Sequence, residues 1–281
     1  MSPALTTWLA PAKLNLFLHI VGRRTDGFHL LQTAFQFISL CDTLNFNVTH
    51  DGRIERVLDL ADVPVAHDLT VRAAHLLKSA TGTPLGALIS CEKIIPLGGG
   101  LGGGSSDAAT TLVALNELWR TGQTIDQLAQ LGVCLGADVP VFVRGHAAWA
   151  EGVGEILTPI SPPEPWYVVI HPLCHVSTAE IFSLPELTRT TSPIKILDFF
   201  EGTGRNDCET TVRARYPAVA AALDWLGQYS SARMTGTGAG VFAAFPTEMR
   251  AREIAALTPP QWRGFVAQGL NRSPLRAQLD T

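Results

Sequence analysis

Residues 12–21, AKLNLFLHIV, alternate between two sets of positions. Leu14, Leu16, Leu18 and Ile20 fall on one side, and Lys13, Asn15, Phe17 and His19 on the other. The pattern predicts a strand that aims Lys13 and Asn15 in the same direction. A solvated outer face for those two remains an open alternative. GRRTDG (22–27) reads as a turn broken at Asp26-Gly27, and TLNFNVTH (43–50) as another strand. DLTVRAAHLLKSATG (68–82) carries apolar residues at helical spacing and stops at Gly82. GALISCEKIIPL (86–97) predicts a strand that leads into a run of glycines. SSDAATTLVALNELW (105–119) predicts a helix with Leu112, Leu115 and Trp119 spaced along one face. Thr124 with Gln127 is a capping-box pattern opening a helix that ends at Gly132. LGADVPVFVRG (135–145) reads as a tight turn and a short apolar segment.

Four prolines in PISPPEP (159–165) make a stiff connector, and a domain boundary is expected there, dividing 1–160 from 161–281. Beyond it the pattern gives a strand at WYVVIHP (166–172) and a polar irregular region to about 207. A helix over PAVAAALDWLGQY (217–229), a second glycine cluster in MTGTGAGVFAAF (234–245) and a last strand at GFVAQGL (264–270) follow. Strands and helices are mixed without strict alternation, which favours α+β over a doubly wound sheet.

Composition narrows the partners. The chain has 281 residues, 16% of them charged, with net charge −4, so it lacks the basic footprint of a nucleic-acid binder. A small-molecule partner is expected, with the chain a monomer or homodimer. Five scattered cysteines without a C-x-x-C pair suggest buried thiols in a reducing compartment. HPLCH (171–175) has no second ligand cluster nearby in sequence, so no metal ligand is assigned. No apolar run reaches membrane-span length, and the N-terminal segment carries Lys13, Asn15 and His19 within its apolar stretch. The expected location is the cytoplasm, with no membrane association.

The candidate chemistry sits in PLGGGLGGGSSDAA, residues 96–109. It fits the P-loop pattern at Gly98, Gly103 and Ser105, but Gly104 stands where the phosphate-reaching lysine belongs. It also satisfies G-x-G-x-x-G at Gly98, Gly100 and Gly103. The carboxylate about twenty residues on would then be Asp126, which looks like a first-turn helix residue and not a strand end. A third reading needs only physics: a glycine loop running into a helix start offers close-approaching N–H groups, the positive dipole end and serine hydroxyls to an anion. A glycine-rich turn with a serine N-cap is the structural alternative.

The same residues resemble the phosphate-binding motif of the GHMP kinases, the superfamily of galactokinase, homoserine kinase and mevalonate kinase. APAKLNLFLHIVGRRTDGFHLLQT (10–33), LGADVPVFVRGHAAWAEGVGE (135–155), NDCE (206–209) and TGTGAGVFAAF (235–245) narrow the resemblance, which runs from about residue 8 to 276. They are similar to the branch of the non-mevalonate isoprenoid pathway that phosphorylates the 2-hydroxyl of a cytidine-diphosphate-linked methylerythritol.

The resemblance implies ATP and Mg²⁺ as cofactors. It also implies an α+β fold of two domains, the first ribosomal protein S5 domain 2-like and the second ferredoxin-like. It makes Lys13 and Asp138 the catalytic pair, with an N-cap as the alternative role of Asp138. ATP would meet Pro96, Leu97, Gly98, Gly99, Gly100, Leu101, Gly102, Gly103, Gly104, Ser105 and Ser106, with Asp68, Leu69 and Lys93 near the nucleotide. Asp68 stands where the family has asparagine; Lys93 is otherwise an ordinary surface lysine. Asn15, Phe28, His29, Thr178 and Phe182 would hold the acceptor. Phe28 and Phe182 would stack on cytosine and His29 would read its edge, Phe28 replacing the usual tyrosine. Core packing for Phe28 and loop exposure for His29 are the alternatives. The glycines of 235–240 would let the backbone approach either a phosphate or the family's first motif, and a tight turn between elements is compatible with both.

Overall fold

The computed structural model describes residues 6–57 and 63–279. Its strands are β1 (Thr6–Arg23), β2 (His29–Thr49), β3 (Ile54–Arg56), β4 (Gly86–Glu92), β5 (Ala148–Glu151), β6 (Ile156–Pro159), β7 (Trp166–His171), β8 (Ala232–Met234), β9 (Val241–Phe245) and β10 (Arg263–Leu270). Its helices are α1 (Leu69–Thr81), α2 (Gly103–Trp119), α3 (Ile125–Val133), α4 (Val139–Arg144), α5 (Thr178–Ser183), α6 (Ile196–Phe200), α7 (Glu209–Arg215), α8 (Pro217–Gly227), α9 (Glu248–Ala255) and α10 (Pro274–Leu279). The class is α+β.

The sheet runs β3-β4-β2-β10-β7-β9-β8, with β1 and β5 also paired to β2 and β6 paired to β5. The pair β3–β4 is parallel and the other pairs are antiparallel. β2 is the hub. It is much longer than the strand legible at 43–50, because residues 32–38 are buried without interruption. A segment buried on both sides carries no polar alternation for a pattern search to find.

Local rules set most element ends. Gly82 stops α1 in the left-handed region at φ +67°. Thr124 and Gln127 form both bonds of the capping box at α3. Two readings change. Residues 139–144 form a helix with Pro140 in its first turn, a position where proline's missing N–H costs nothing. The region 172–207 holds the short helices α5 and α6, too brief to show a period.

Two large apolar cores lie on the sheet. One packs Leu77, Leu112, Leu115, Trp119 and Phe142 of α1, α2 and α4 against Phe37, Leu44 and Phe46 of β2. The other packs Ile181, Val212, Leu223 and Leu226 of α5, α7 and α8 against Val168, Ile170 and Val241. Each borrows from across the proline connector. Leu18 and Ile20 of β1 join the second core, and Leu275 of α10 joins the first. Burying these side chains couples the segments before and after the connector, since each removed methylene costs about 0.8 kcal/mol.

Candidate active site

A cleft of about 390 Å³ opens where β1, the first glycine loop, the start of α4 and the 235–240 loop meet. Residues 10–20 of β1 are buried throughout, so the solvated-face alternative for Lys13 and Asn15 does not hold. Register shifts at Pro11/Ala12 and Asn15/Leu18 interrupt the alternation and let β1 bend against β2. Lys13 Nζ donates to Asn15 Oδ1 and sits 3.2 Å from Asp138 Oδ2. It also lies 5.2 Å from the centre of the Phe35 ring. Asn15 Nδ2 donates to Thr33 Oγ1 at 2.9 Å, which orients the amide oxygen toward the lysine. The ammonium is 4% exposed at the side chain and the carboxylate 32%, so the pair presents its acidic partner to the cleft.

Asp138 occupies the N-cap position of α4 but makes no capping hydrogen bond, and its backbone is in the helical region at φ −83°, ψ −14°. Capping requires an extended backbone there. The carboxylate turns to Lys13 instead.

The phosphate-loop residues from Pro96 to Ser105 all line this cleft. α2 begins at Gly103, and no side chain caps it. The amides of Gly103, Gly104 and Ser105 therefore lie in the first turn of a 17-residue helix, where no carbonyl of the helix itself can accept from them. The loop is built against the rest of the site. Lys13 N donates to Leu101 O at 2.9 Å. A Cβ on Gly102 would lie 2.9 Å from Phe142 Cζ and 3.1 Å from Lys13 Cε.

The second glycine loop locks onto the first. Ala239 N donates to Gly98 O at 3.1 Å and Gly240 N to Gly99 O at 3.0 Å. Thr235 Oγ1 accepts from Asn15 N at 2.9 Å and donates to Gly100 O at 3.2 Å. A Cβ on Gly100 would fall 2.3 Å from Thr235 O, and its φ is +68°. The backbone of 239–240 thus packs on the glycine loop of 98–100, and Thr235 reaches the first motif at Asn15. Asn206 Nδ2 holds the loop from below through Met234 O and Gly236 O, both at 2.8 Å.

Several expected contacts move. Asp68 is 3% exposed and lies outside the cleft lining. Its Oδ1 caps α1 through Thr70 N and Oγ1, and its Oδ2 pairs with Arg56 Nη1 at 3.0 Å. Both oxygens already accept hydrogen bonds within the protein, away from the cleft lining. Leu69 beside it does line the cleft. Lys93 is neither a surface lysine nor a free cation: it lies between Asp42 and Asp107 in an ion triad beside the loop. Burial works against its charge, but the two carboxylates more than offset this and hold its pKa above the ordinary lysine range. Ser106 is fully buried, and its hydroxyl has no partner among the described residues. Ser105 is the serine at the cleft.

Thr178 and Phe182 of α5 line the cleft, with Thr178 Oγ1 2.8 Å from Thr237 Oγ1. His29 stacks on Phe182, ring centres 4.9 Å apart and planes 27° apart. Phe28 stands away from the cleft lining and is 62% exposed, so it is not the core residue of the alternative reading. Sequence reasoning missed Thr33, Phe35, Thr235, Asn206 and Arg189. Thr33, Thr235 and Asn206 lie inside segments whose resemblance was visible, but Phe35 enters only through strand register.

Residues 68–146 match the GHMP kinases N terminal domain, and residues 194–256 match the GHMP kinases C terminal domain. A 4-diphosphocytidyl-2-C-methyl-D-erythritol kinase of Nitrosococcus oceani is 59% identical over 268 residues, covering 95% of this chain and 96% of that protein. The chain belongs to the 4-diphosphocytidyl-2-C-methyl-D-erythritol kinase family. The kinase of that name from Pseudomonas syringae is 57% identical over 270 residues, with 96% of each chain covered. Among solved structures, a 4-(cytidine 5'-diphospho)-2C-methyl-D-erythritol kinase superposes with TM-score 0.82 at 32% identity, covering 94% of this chain and 99% of that one. The chain is thus a small-molecule kinase of the GHMP fold. Among the described residues of the kinase, no helix is long and apolar enough to cross a membrane.

Proposed function

We propose that this kinase transfers the γ-phosphoryl group of ATP to the 2-hydroxyl of 4-diphosphocytidyl-2-C-methyl-D-erythritol, a step toward isoprenoid precursors outside the mevalonate route. The observation that carries the reading is the Lys13–Asp138 pair facing the uncapped start of α2 across one cleft. Phosphoryl transfer depends mainly on positioning and charge stabilisation. The amides of Gly103, Gly104 and Ser105, with the positive end of the 17-residue helix, bind the phosphate oxygens. Asp138, the more exposed partner, accepts the proton of the attacking hydroxyl. Lys13, held by Asn15, offers positive charge to the transferring group that the glycine loop itself lacks.

Mg²⁺ fits this donor set. Among the described residues no cluster of three His, Cys, Asp or Glu side chains is built to hold a metal by itself. The cation would be held largely by nucleotide phosphates, with Ser105 the hydroxyl available at the cleft. When bound, it neutralises charge on the β- and γ-phosphate oxygens.

Phe182 and His29 form one wall of the cytidine site, and exposed Phe28 closes over the base as its other face. Residues 1–160 act as the nucleotide-binding unit and 161–281 as the unit that completes the acceptor site. The kinase acts in the cytoplasm on a small molecule, as a monomer or homodimer.

A coupled ADP-release assay tests the reading with the diphosphocytidyl alcohol against mevalonate and homoserine. Turnover confined to the first substrate, and inhibition by CMP or CDP, is expected. Equal turnover of mevalonate, or indifference to millimolar-range cytidine nucleotides, would count against it.

A further inference from the structure

Arg189 lies in the chain between α5 and α6, six residues past the last helical turn that carries Phe182. Its guanidinium has five N–H donors and no acceptor. In this structure five acceptors meet them. Nη1 donates to Leu187 O at 2.9 Å and Pro185 O at 3.3 Å; Nη2 donates to Phe182 O at 3.1 Å and to Leu184 O. Nε donates to His29 Nε2 at 3.0 Å. Four carbonyls at and beyond the end of α5 thus fix the guanidinium plane, and the fifth bond crosses to the first residue of β2.

That last bond decides the state of the imidazole. An arginine has no lone pair and keeps its charge at any ordinary pH, so His29 Nε2 must be the acceptor. A ring that accepts at Nε2 is neutral and carries its proton on Nδ1. Either other form, Nε2–H or imidazolium, would set two N–H groups against each other. Nδ1 has no hydrogen-bond partner within the protein among the described residues. The ring face is fixed by Phe182 at 4.9 Å. His29 therefore offers a ligand one donor and no acceptor.

We propose that Arg189 is a positioning residue for nucleobase choice: by fixing the Nδ1–H form of His29, it admits a base with an acceptor at its ring N3 edge and refuses one with a donor there. Cytosine has a lone pair at N3. Uracil has the same outline, but N3 carries a hydrogen, which would face the Nδ1–H donor. The inference rests on the reading of His29 as the base-edge contact. It adds that selection is imposed from a residue that touches no substrate.

The test compares kcat/KM for the cytidine-diphosphate and uridine-diphosphate forms of the methylerythritol substrate, in the native kinase, Arg189→Met, Arg189→Lys and His29→Ala. In Arg189→Met the ring is free to exchange tautomers, and the cytidine preference should fall roughly tenfold or more, the size of one mispaired hydrogen bond at a base edge. Arg189→Lys, which can still donate to Nε2, should recover part of the preference. A merely structural role, through the carbonyls at the end of α5, would weaken both substrates in parallel with an unchanged ratio, and that result overturns the proposal. Nitrogen-15 NMR of the native kinase gives a test that no variant needs to survive: Nδ1 of His29 should be the protonated nitrogen, and an Nε2–H signal overturns the proposal. His29→Ala separates the layers. If it leaves KM for the cytidine substrate unchanged, the base-edge reading itself is wrong, and the proposal falls with it.

Discussion

Lys13 Nζ and Asp138 Oδ2 lie 3.2 Å apart, although the residues are separated by most of the N-terminal half of the chain. One comes from the middle of a buried strand and the other from the N-cap position of a short helix. Asp138 leaves its helix uncapped to make this contact. A polar group that forgoes its local partner in favour of a distant one breaks a local rule, as groups at functional or strained sites do.

Asp138→Asn keeps the side-chain shape and removes the proton acceptor. Its kcat should fall at least ~100-fold, the lower end of general-base contributions. KM for ATP should stay within about twofold, because Asp138 does not supply the phosphate amides. Steady-state kinetics with ADP release check both numbers. Near-native turnover would show that the aspartate is not the base.

Gly100→Ala places a methyl group against Thr235 O at a positive φ. A left-handed alanine alone costs about 1–2 kcal/mol, and the contact at 2.3 Å adds to it. The two glycine loops should separate, so the variant should unfold earlier in urea and show a raised KM for ATP. An unchanged midpoint with unchanged KM would mean that the loops do not depend on this close approach.

Lys93→Met leaves Asp42 and Asp107 buried without their shared cation. Burial already pushes the Asp107 carboxyl upward, against the pull of Lys93, with the nearby charge of Asp42 adding to the upward push. Breaking a buried pair from one side costs about 3–5 kcal/mol. A fall of that order in unfolding free energy is expected. It should shrink in acid, where the orphaned carboxylates can take up protons. Equilibrium urea denaturation at two pH values checks the size and the sign.

His29 sets a pH limit on the acceptor. Burial, then the charges of Arg189 and Arg23, lower its pKa below the ordinary 6.5. A depressed histidine is mainly neutral at pH 6.5, where an ordinary imidazole is half charged. KM for the cytidine substrate should therefore rise only at pH below the ordinary histidine range, while the His29→Ala variant lacks this rise. An upturn already complete at pH 7 would contradict the depressed state.

Much was legible before any coordinates. The alternation over 12–20 identified β1 and placed Lys13 beside Asn15. Glycine density marked the loop that lines the cleft and runs into α2. Caps at Gly82 and Thr124 gave helix ends, because those signals are written within a few residues. What stayed hidden was pairing. Asp68 and Lys93 read as residues near the nucleotide until Arg56 is seen against the one and β2 brings Asp42 alongside the other.

The sequence by itself determined the fold class, a dense glycine loop running into a helix and the residue types available to the site, since periodicity, turn chemistry and glycine content are local properties of a chain. Only the tertiary structure decided which charges are spent and which are free. Asp42 and Asp107 surround Lys93, Arg189 donates to His29, and Asp138 stays part-exposed beside Lys13 in the cleft. Electrostatic state depends on distance and burial in space, and neither is encoded by position along the chain.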